Sequence, residues 1–345
     1  MTTAIEPQDA LAAFDQELQR SSLQGHWKME LPSFLEPKSR LHPMHWRWSQ
    51  LHEFLRRSGD LISVNEAGRR TVQLMNPGIT GPRQWTTHNL QMSFQLVLPG
   101  EVATAHRHTM NAIRFVISGG GTYTTVDGES FLMEPGDLIL TPGWTWHDHI
   151  NESEEPIVWI DGLDVPLQFA MNAAFIEEFS APQQPVKRIV RTAADGTEGP
   201  DGSTWYWKGP DAEERLKKLA KTARPDEPVV FEYRHPDGRP TLPTLLCTMQ
   251  LLRPGEVTTP RRHTAAGIYH VVSGTGVTTI GLGGNAETTF EWQSRDAMVV
   301  PNWTWHQHQN RGSEVALLFS MNDQPTLESM GLYRQETRET AAAAR

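Results

Sequence analysis

A single cysteine, Cys247, stands in 345 residues, so no disulfide can form within the chain. A reducing cytoplasm is the natural setting for such a protein. No apolar run is long enough to cross a bilayer. Met1-Thr-Thr-Ala-Ile-Glu-Pro also lacks the charged and then apolar pattern of a secretion signal. The expectation is a cytoplasmic protein with no membrane partner. Basic stripes are missing too: Arg69-Arg70 and Lys217-Lys218 are short pairs in a chain of formal charge −10. That balance favours solubility and argues against a nucleic-acid surface.

Residues that are present spell two kinds of structure. Residues 1–85 read as mainly helical, with apolar spacing over Leu11 to Leu18 and Trp46 to Leu55. Trp27, Trp46 and Trp48 read there as packing residues. An extended stretch from Val72 to Asn76 ends at Pro77-Gly78, a turn signal. From there the period changes to short β runs: Ser93 to Leu98, Ala112 to Ile117, Gly121 to Val126, Glu129 to Met133 and Leu138 to Leu140. Asp127-Gly128 between two of them is a hairpin signal. Many short strands punctuated by Gly and Pro predict a small antiparallel barrel or jelly roll over 86–167. A linker over 168–238 carries expected helices at Gln168 to Phe179 and Asp211 to Ala223, around an exposed loop from Ala194 to Gly202. A second barrel is expected over 239–325, and 326–345 reads as a tail ending in a frayed Ala-rich segment.

The second barrel follows from a repeat. Pro99-Gly-Glu-Val-Ala-Thr-Ala-His106-Arg-His108-Thr109 returns ~155 residues later as Pro254-Gly-Glu-Val-Thr-Thr-Pro-Arg261-Arg-His263-Thr264. Pro142-Gly-Trp-Thr-Trp-His147-Asp-His149-Ile-Asn151 returns as Pro301-Asn-Trp-Thr-Trp-His306-Gln-His308-Gln-Asn310. The offset widens to ~159 by Asp296, which puts the extra residues at a Gly-rich hairpin end near Gly281 to Asn285, where insertion is cheap. Trp144 and Trp146 read as structural, because Trp303 and Trp305 repeat them.

On a strand, residues two apart share a face, so His106 and His108 point together. His147 begins a strand able to return beside them. Three imidazoles meeting in a barrel make a metal site with positions left open, as a substrate-binding metal requires. The bland alternative is a set of hydrogen-bonded barrel histidines, and His-x-His with a distal His favours the metal. In the second copy Arg261 replaces the first ligand; a guanidinium has no lone pair to give, so an empty, structural barrel is expected there.

The spacing Gly100-x5-His106-x-His108, Gly119, Pro135-Gly136-Asp137 and Pro142-x4-His147-x3-Asn151 resembles the two motifs of cupins. Over residues 60–325 the chain is similar to bicupins of the gentisate 1,2-dioxygenase group, which includes salicylate and 1-hydroxy-2-naphthoate dioxygenases. Most metal cupins place a glutamate after His-x-His; Ala112 stands here, as in the gentisate group and unlike oxalate decarboxylase-like bicupins. The resemblance implies a mainly β bicupin, two jelly-roll β-barrels with helical N-terminal and linker segments. It implies Fe(II) on His106, His108 and His147, and O2-dependent opening of a 2-hydroxybenzoate between its carboxyl- and hydroxyl-bearing carbons. It also implies a homotetramer. Salicylate, or a 5-substituted salicylate such as 5-nitrosalicylate, is the runner-up substrate, and a non-catalytic ligand-binding bicupin is the competing class.

Arg114 alternates in phase with His106 and His108 and is the first candidate to pair a substrate carboxylate or to stabilise charge on oxygen. By resemblance, Arg70 is a second substrate arginine, though adjacent Arg69 competes for the place. Gln95 resembles a pocket residue, and Gln91 and Ser93 on the same strand face are placed to recognise the ring's 5-position. His149 resembles an acid/base near the phenol oxygen, and Asp161 resembles the carboxylate that orients it. His149 also has a packing alternative, since His308 repeats it.

Overall fold

A computed structural model describes residues 7–28, 35–64, 69–190, 205–224, 227–284 and 286–338. The expected loop from Ala194 to Gly202 and the Ala-rich end lie outside the described residues, as does Asn285 at the expected insertion. The chain divides into two compact units, Met1–Lys38 and Ser39–Arg345. In the first, the helix Pro7–Arg20 carries Phe14 and Asp15. Trp27 stacks on Phe14 at 6.1 Å and its indole N–H donates to Asp15 at 3.1 Å. Lys28 pairs with the same carboxylate at 2.9 Å.

In the second unit, the helix Trp48–Leu61 follows a short strand, Met44–Trp46. Strands then dominate. One six-stranded sheet runs Tyr206–Trp207, Leu138–Thr141, Ala112–Ser118, Ile157–Leu163, Gln91–Val97, Thr71–Gln73. It faces another six-stranded sheet, Ile176–Glu178, Val102–His108, His147–Asn151, Thr122–Val126, Glu129–Met133, Arg188–Val190. The Asp127-Gly128 turn joins Thr122–Val126 to Glu129–Met133 with both residues at positive φ, 46° and 88°, the geometry a two-residue hairpin requires.

The second barrel repeats this order. Its larger sheet runs Met44–Trp46, Ala297–Val300, Gly267–Ser273, Ala316–Asn322, Leu246–Leu252, Val229–Glu232. Each barrel therefore draws edge strands from outside its own repeat: Met44–Trp46 pairs with Ala297–Val300, and Thr71–Gln73 with Gln91–Val97. Tyr206–Trp207 and Val229–Glu232 do the same from the linker.

The Gln91–Val97 strand is buried along its whole length, because both of its faces are covered. Met92, Phe94 and Leu96 point into a core shared between the barrels, together with Ile113, Phe115 and Ile160 from the same sheet. Cys247, Met249, Ile268, Phe319 and Met321 come from the facing sheet of the second barrel, and Phe115 stacks on Phe319 at 4.2 Å. The alternate residues turn inward. Val97, Val116, Phe131, Met133 and Trp159 form an apolar plug inside the first barrel, and Val271, Ile280 and Trp292 belong to one inside the second. Gly119 allows the close approach of neighbouring strands: its φ is +84° and a Cβ would sit 2.4 Å from the Pro156 carbonyl.

The linker departs from expectation. The helix expected over Gln168 to Phe179 is Val165–Ala170, and Asn172 at φ 53° turns the chain out of it. Ile176–Glu178 then becomes a strand paired with Val102–His108. Local spacing there is overridden by an open sheet edge that needs a partner. Gly209–Thr222 is the second linker helix.

Because Phe115 and Phe319 lie at the centre of the shared core, Phe115→Ala should destabilise the protein by about 3–5 kcal/mol. A chemical-denaturation midpoint equal to that of the parent would show that the barrels do not depend on this contact.

Candidate metal centre

His106 lies directly opposite His147 across two paired strands, and His108 follows His106 on the same face. The register alone brings three imidazoles to one patch. Their ligand nitrogens all lie within 4.8 Å of one another, and among the described residues no other such group of metal-type side chains occurs. Each Nδ1 faces a backbone carbonyl: His106 to Thr104 at 3.0 Å, His108 to Met110 at 2.9 Å, His147 to Thr145 at 3.0 Å. Donation to those carbonyls puts the proton on Nδ1 and leaves a lone pair on Nε2. His147 Nε2 is buried with no hydrogen-bond partner. Three neutral nitrogens with oriented lone pairs and an orphaned buried acceptor fit a metal ion, and the absence of a glutamate at Ala112 leaves the set at three.

Burial, with the charges of Arg69 and Arg114 behind it, holds His106 down to about 3. Burial and then Arg114 hold His108 to about 4, and push His147 well below its ordinary value. The imidazoles therefore stay unprotonated at neutral pH, as metal ligation requires.

Arg114 is buried on Ala112–Ser118, the strand of the facing sheet that directly follows the His106–His108 strand in the chain, and lies opposite Asp161. Its Nη1 donates to Thr141, and its Nε lies 3.5 Å from the Asp161 carboxylate without a hydrogen bond. Burial lowers the Arg114 pKa against the opposing pull of Asp161, and burial raises that of Asp161. Ser93 lies across from Asp161, and Gln95 across from Trp159, so both line the same inner face. Both are buried.

Three expected roles need revision. Arg70 is turned away: its guanidinium is spent on Glu101 at 2.6 and 2.8 Å and on the Ile62 carbonyl. Its neighbour Arg69 reaches the centre instead, with Nη2 at 2.9 Å from the Thr104 carbonyl and 2.6 Å from His106 Nδ1. Consecutive residues in extended chain face opposite ways, so only one of the pair can point inward. That Nδ1 cannot both accept from Arg69 and donate to Thr104, and the Thr104 bond is the one compatible with ligation through Nε2. Secondly, Asp161 does not orient His149. It accepts from the Trp159 indole at 2.9 Å and faces Arg114, whereas His149 Nδ1 pairs with Thr124 Oγ1 at 2.8 Å. Thirdly, Gln91 commits its amide to the loop, donating to the Leu74 and Met92 carbonyls and accepting from Thr86 N–H.

His149 is fully buried, its Nε2 has no partner, and burial, then Arg114, keeps it well below its ordinary pKa. His308 repeats the bond, to Thr278 Oγ1 at 2.8 Å, so the Thr–His pair belongs to the barrel frame in both copies.

A clamp on the outer face went unread in the sequence. Arg107, between the two ligands, lies 4.5 Å from each of the Trp144 and Trp146 rings, and pairs with Glu177 at 2.6 Å. Those tryptophans precede His147, so the clamp ties both ligand segments together from outside. Arg262 repeats it between Trp303 and Trp305, paired with Glu336 at 2.7 Å. The recurring Arg and Trp-x-Trp were the available signal. In the second barrel Arg261 faces His306 as His106 faces His147.

The cupin domain family matches residues 93–165 and 248–322. The chain is 37% identical to a 5-aminosalicylate 1,2-dioxygenase from Comamonas sp, covering 95% of this chain and 91% of the relative. It is 36% identical to gentisate 1,2 dioxygenase 1 from Aquipseudomonas alcaligenes, over 87% of this chain and 88% of the other. Its fold matches a salicylate 1,2-dioxygenase from Pseudoaminobacter salicylatoxidans, determined as an adduct with gentisate, at a TM-score of 0.87. That match has 27% identity and covers 98% of this chain and 97% of the other.

An imidazole held neutral in the fold takes up its proton only on unfolding. Stability of the metal-free protein should therefore fall as pH drops from about 6.5 toward the depressed values. His263, His270 and His308, held to about 4, 3 and 3 chiefly by burial, add to the effect. Asp137, pushed up to about 6 by burial, opposes it, as do Asp148, Asp161 and Asp323, also raised by burial, and the carboxyls are outnumbered by the depressed imidazoles. A melting midpoint that stays level between pH 7 and pH 5 would contradict this account.

Proposed function

The chain belongs to the cupin-fold family of aromatic ring-cleaving 1,2-dioxygenases, and from that premise we propose that it opens a 2-hydroxybenzoate of the gentisate type with O2, using Fe(II) on His106, His108 and His147. The observation that carries the reading is the orphaned Nε2 of buried His147 within a three-nitrogen cluster. A bound ferrous ion would supply open positions for an ortho-hydroxy carboxylate and for O2, and would lower the phenol pKa. The bond between the carboxyl- and hydroxyl-bearing carbons breaks, and each carbon gains one oxygen atom. The ring supplies the electrons, so no external reductant is needed.

The protein's own groups prepare that step. Arg114 and Arg69 stand close enough for Arg114's charge to help lower the Arg69 pKa to about 10, after burial. With Asp161 as the nearest buried counter-charge, the pocket attracts an anionic chelate. Arg114 keeps an unpartnered buried N–H to offer a carboxylate or a developing oxyanion. Gln95 supplies an amide to the substrate. His149 is neutral in the free protein, and a bound anion that offsets Arg114 raises its proton affinity, which suits it to receive the phenolic proton. The apolar plug beneath keeps water from the inner side.

A 5-substituted salicylate is the second reading, supported by the relative named for 5-aminosalicylate and by the buried Ser93 hydroxyl on the pocket wall. Oxygen uptake by iron-reconstituted protein with gentisate, salicylate, 5-aminosalicylate and 5-nitrosalicylate separates the two. No uptake with any of them would reject both. His106→Ala should lose bound iron and turnover together. Arg114→Ala should keep its iron and lose on the order of a hundredfold in turnover; full activity would remove Arg114 from the chemistry.

A further inference from the structure

The second barrel keeps the frame of the first and exchanges its charges. Arg261 stands for His106, Tyr269 for Arg114 and Ser320 for Asp161, with the cross-strand pairs Arg261–His306 and Tyr269–Ser320 in the same register. Asp161 and Asp148, whose charges act on Arg69 in the first barrel, are replaced by Ser320 and Gln307. Among the described residues no carboxylate lies within ion-pairing reach of Arg261. Its partners are His306 Nε2 at 3.5 Å and Gln250 Oε1 at 3.4 Å, both at the outer limit of a hydrogen bond.

A half-buried guanidinium without a counter-charge is costly to hold. Its field reaches the neighbouring rings: burial first and Arg261 second keep His263 at about 4 and His306 well below its ordinary value. Gln250 is 3% exposed, and its Nε2, on the amide whose oxygen faces Arg261, has no partner. Arg261 and His263 are only partly buried, so solvent reaches this end of the barrel.

We propose that the second barrel is a metal-free binding site for a small organic monocarboxylate, with the Arg261 guanidinium where the first barrel gathers its metal-type nitrogens and the Gln250 amide N–H as the second donor. One fixed positive charge beside neutral imidazoles matches a monovalent anion. A planar fork of N–H groups matches a planar carboxylate in a way a lone ammonium would not. A cation is excluded, since the guanidinium offers no lone pair and repels like charge. Tyr333, 6.5 Å from His263 at 30°, sets an aromatic face near the mouth for an unsaturated acid. The inference does not rest on the reaction in the first barrel.

Equilibrium dialysis of labelled benzoate against the iron-loaded full chain tests it. Benzoate lacks the hydroxyl needed to chelate and be turned over, and any binding in the first barrel is common to every protein compared. Arg261→Gln should bind one equivalent per chain fewer than the parent, with oxygen uptake unchanged. Gln250→Leu should weaken that equivalent about tenfold. Identical isotherms for parent and Arg261→Gln, or no benzoate bound by any of the three proteins, overturns the proposal. If Arg261→Gln fails to fold by circular dichroism, Gln250→Leu decides alone, and an isotherm equal to the parent's overturns it.

Discussion

The pairing of Val102–His108 with His147–Asn151 is the constraint on which the site depends. It sets His106 against His147, and strand periodicity then delivers His108 to the same face. Slipping Val102–His108 by one residue would send His106 and His108 to the outer surface and leave His147 without them. The arginine–tryptophan clamp, with Glu177 from the linker, holds the pairing from outside and leaves the inner face to the ligands. The strain of Trp144 at φ 68° is tolerated because its N–H bonds the His108 carbonyl at 2.6 Å, again joining the two segments.

The barrel interior is polarised along its axis. Val97, Val116 and Trp159 fill one end, and the same three strands carry Ser93, Gln95, Arg114 and Asp161 to the other. Low-polarity surroundings make each charge there count for more than it would in water. Both guanidiniums therefore act on the imidazoles, lowering their proton affinity beyond what burial does alone. The same field favours an anionic aromatic acid over a neutral one.

Much of this was legible in the residues. Repetition of the histidine and tryptophan motifs disclosed the duplicated fold, and His-x-His spacing disclosed the ligand face. Glu129–Met133 forms as the alternation predicts, since both of its neighbours in the chain are turns. What the sequence hides is register between distant strands. Nothing local says that Asp161 lies across from Arg114, or that Thr124 is the hydroxyl at His149. Arg69 and Arg70 could not be separated either: facing is decided by where Glu101 and the Ile62 carbonyl wait to receive Arg70. The linker helix was overcounted for a related reason, because the sheet edge that claims Ile176–Glu178 is supplied from far away in the chain.

The crossed edge strands have a consequence for how such a chain can change. Met44–Trp46 closes the sheet of the later repeat, although Thr71–Gln73, only a short way on, closes that of the earlier one. Neither half owns all of its own seams. A gene encoding one repeat alone would yield a sheet with a raw margin and the large apolar wall around Phe115 or Phe319 left bare. The ancestral duplication is thus locked: its two copies can diverge in chemistry, as Arg261 and His106 have, but can no longer be parted or shuffled as cassettes.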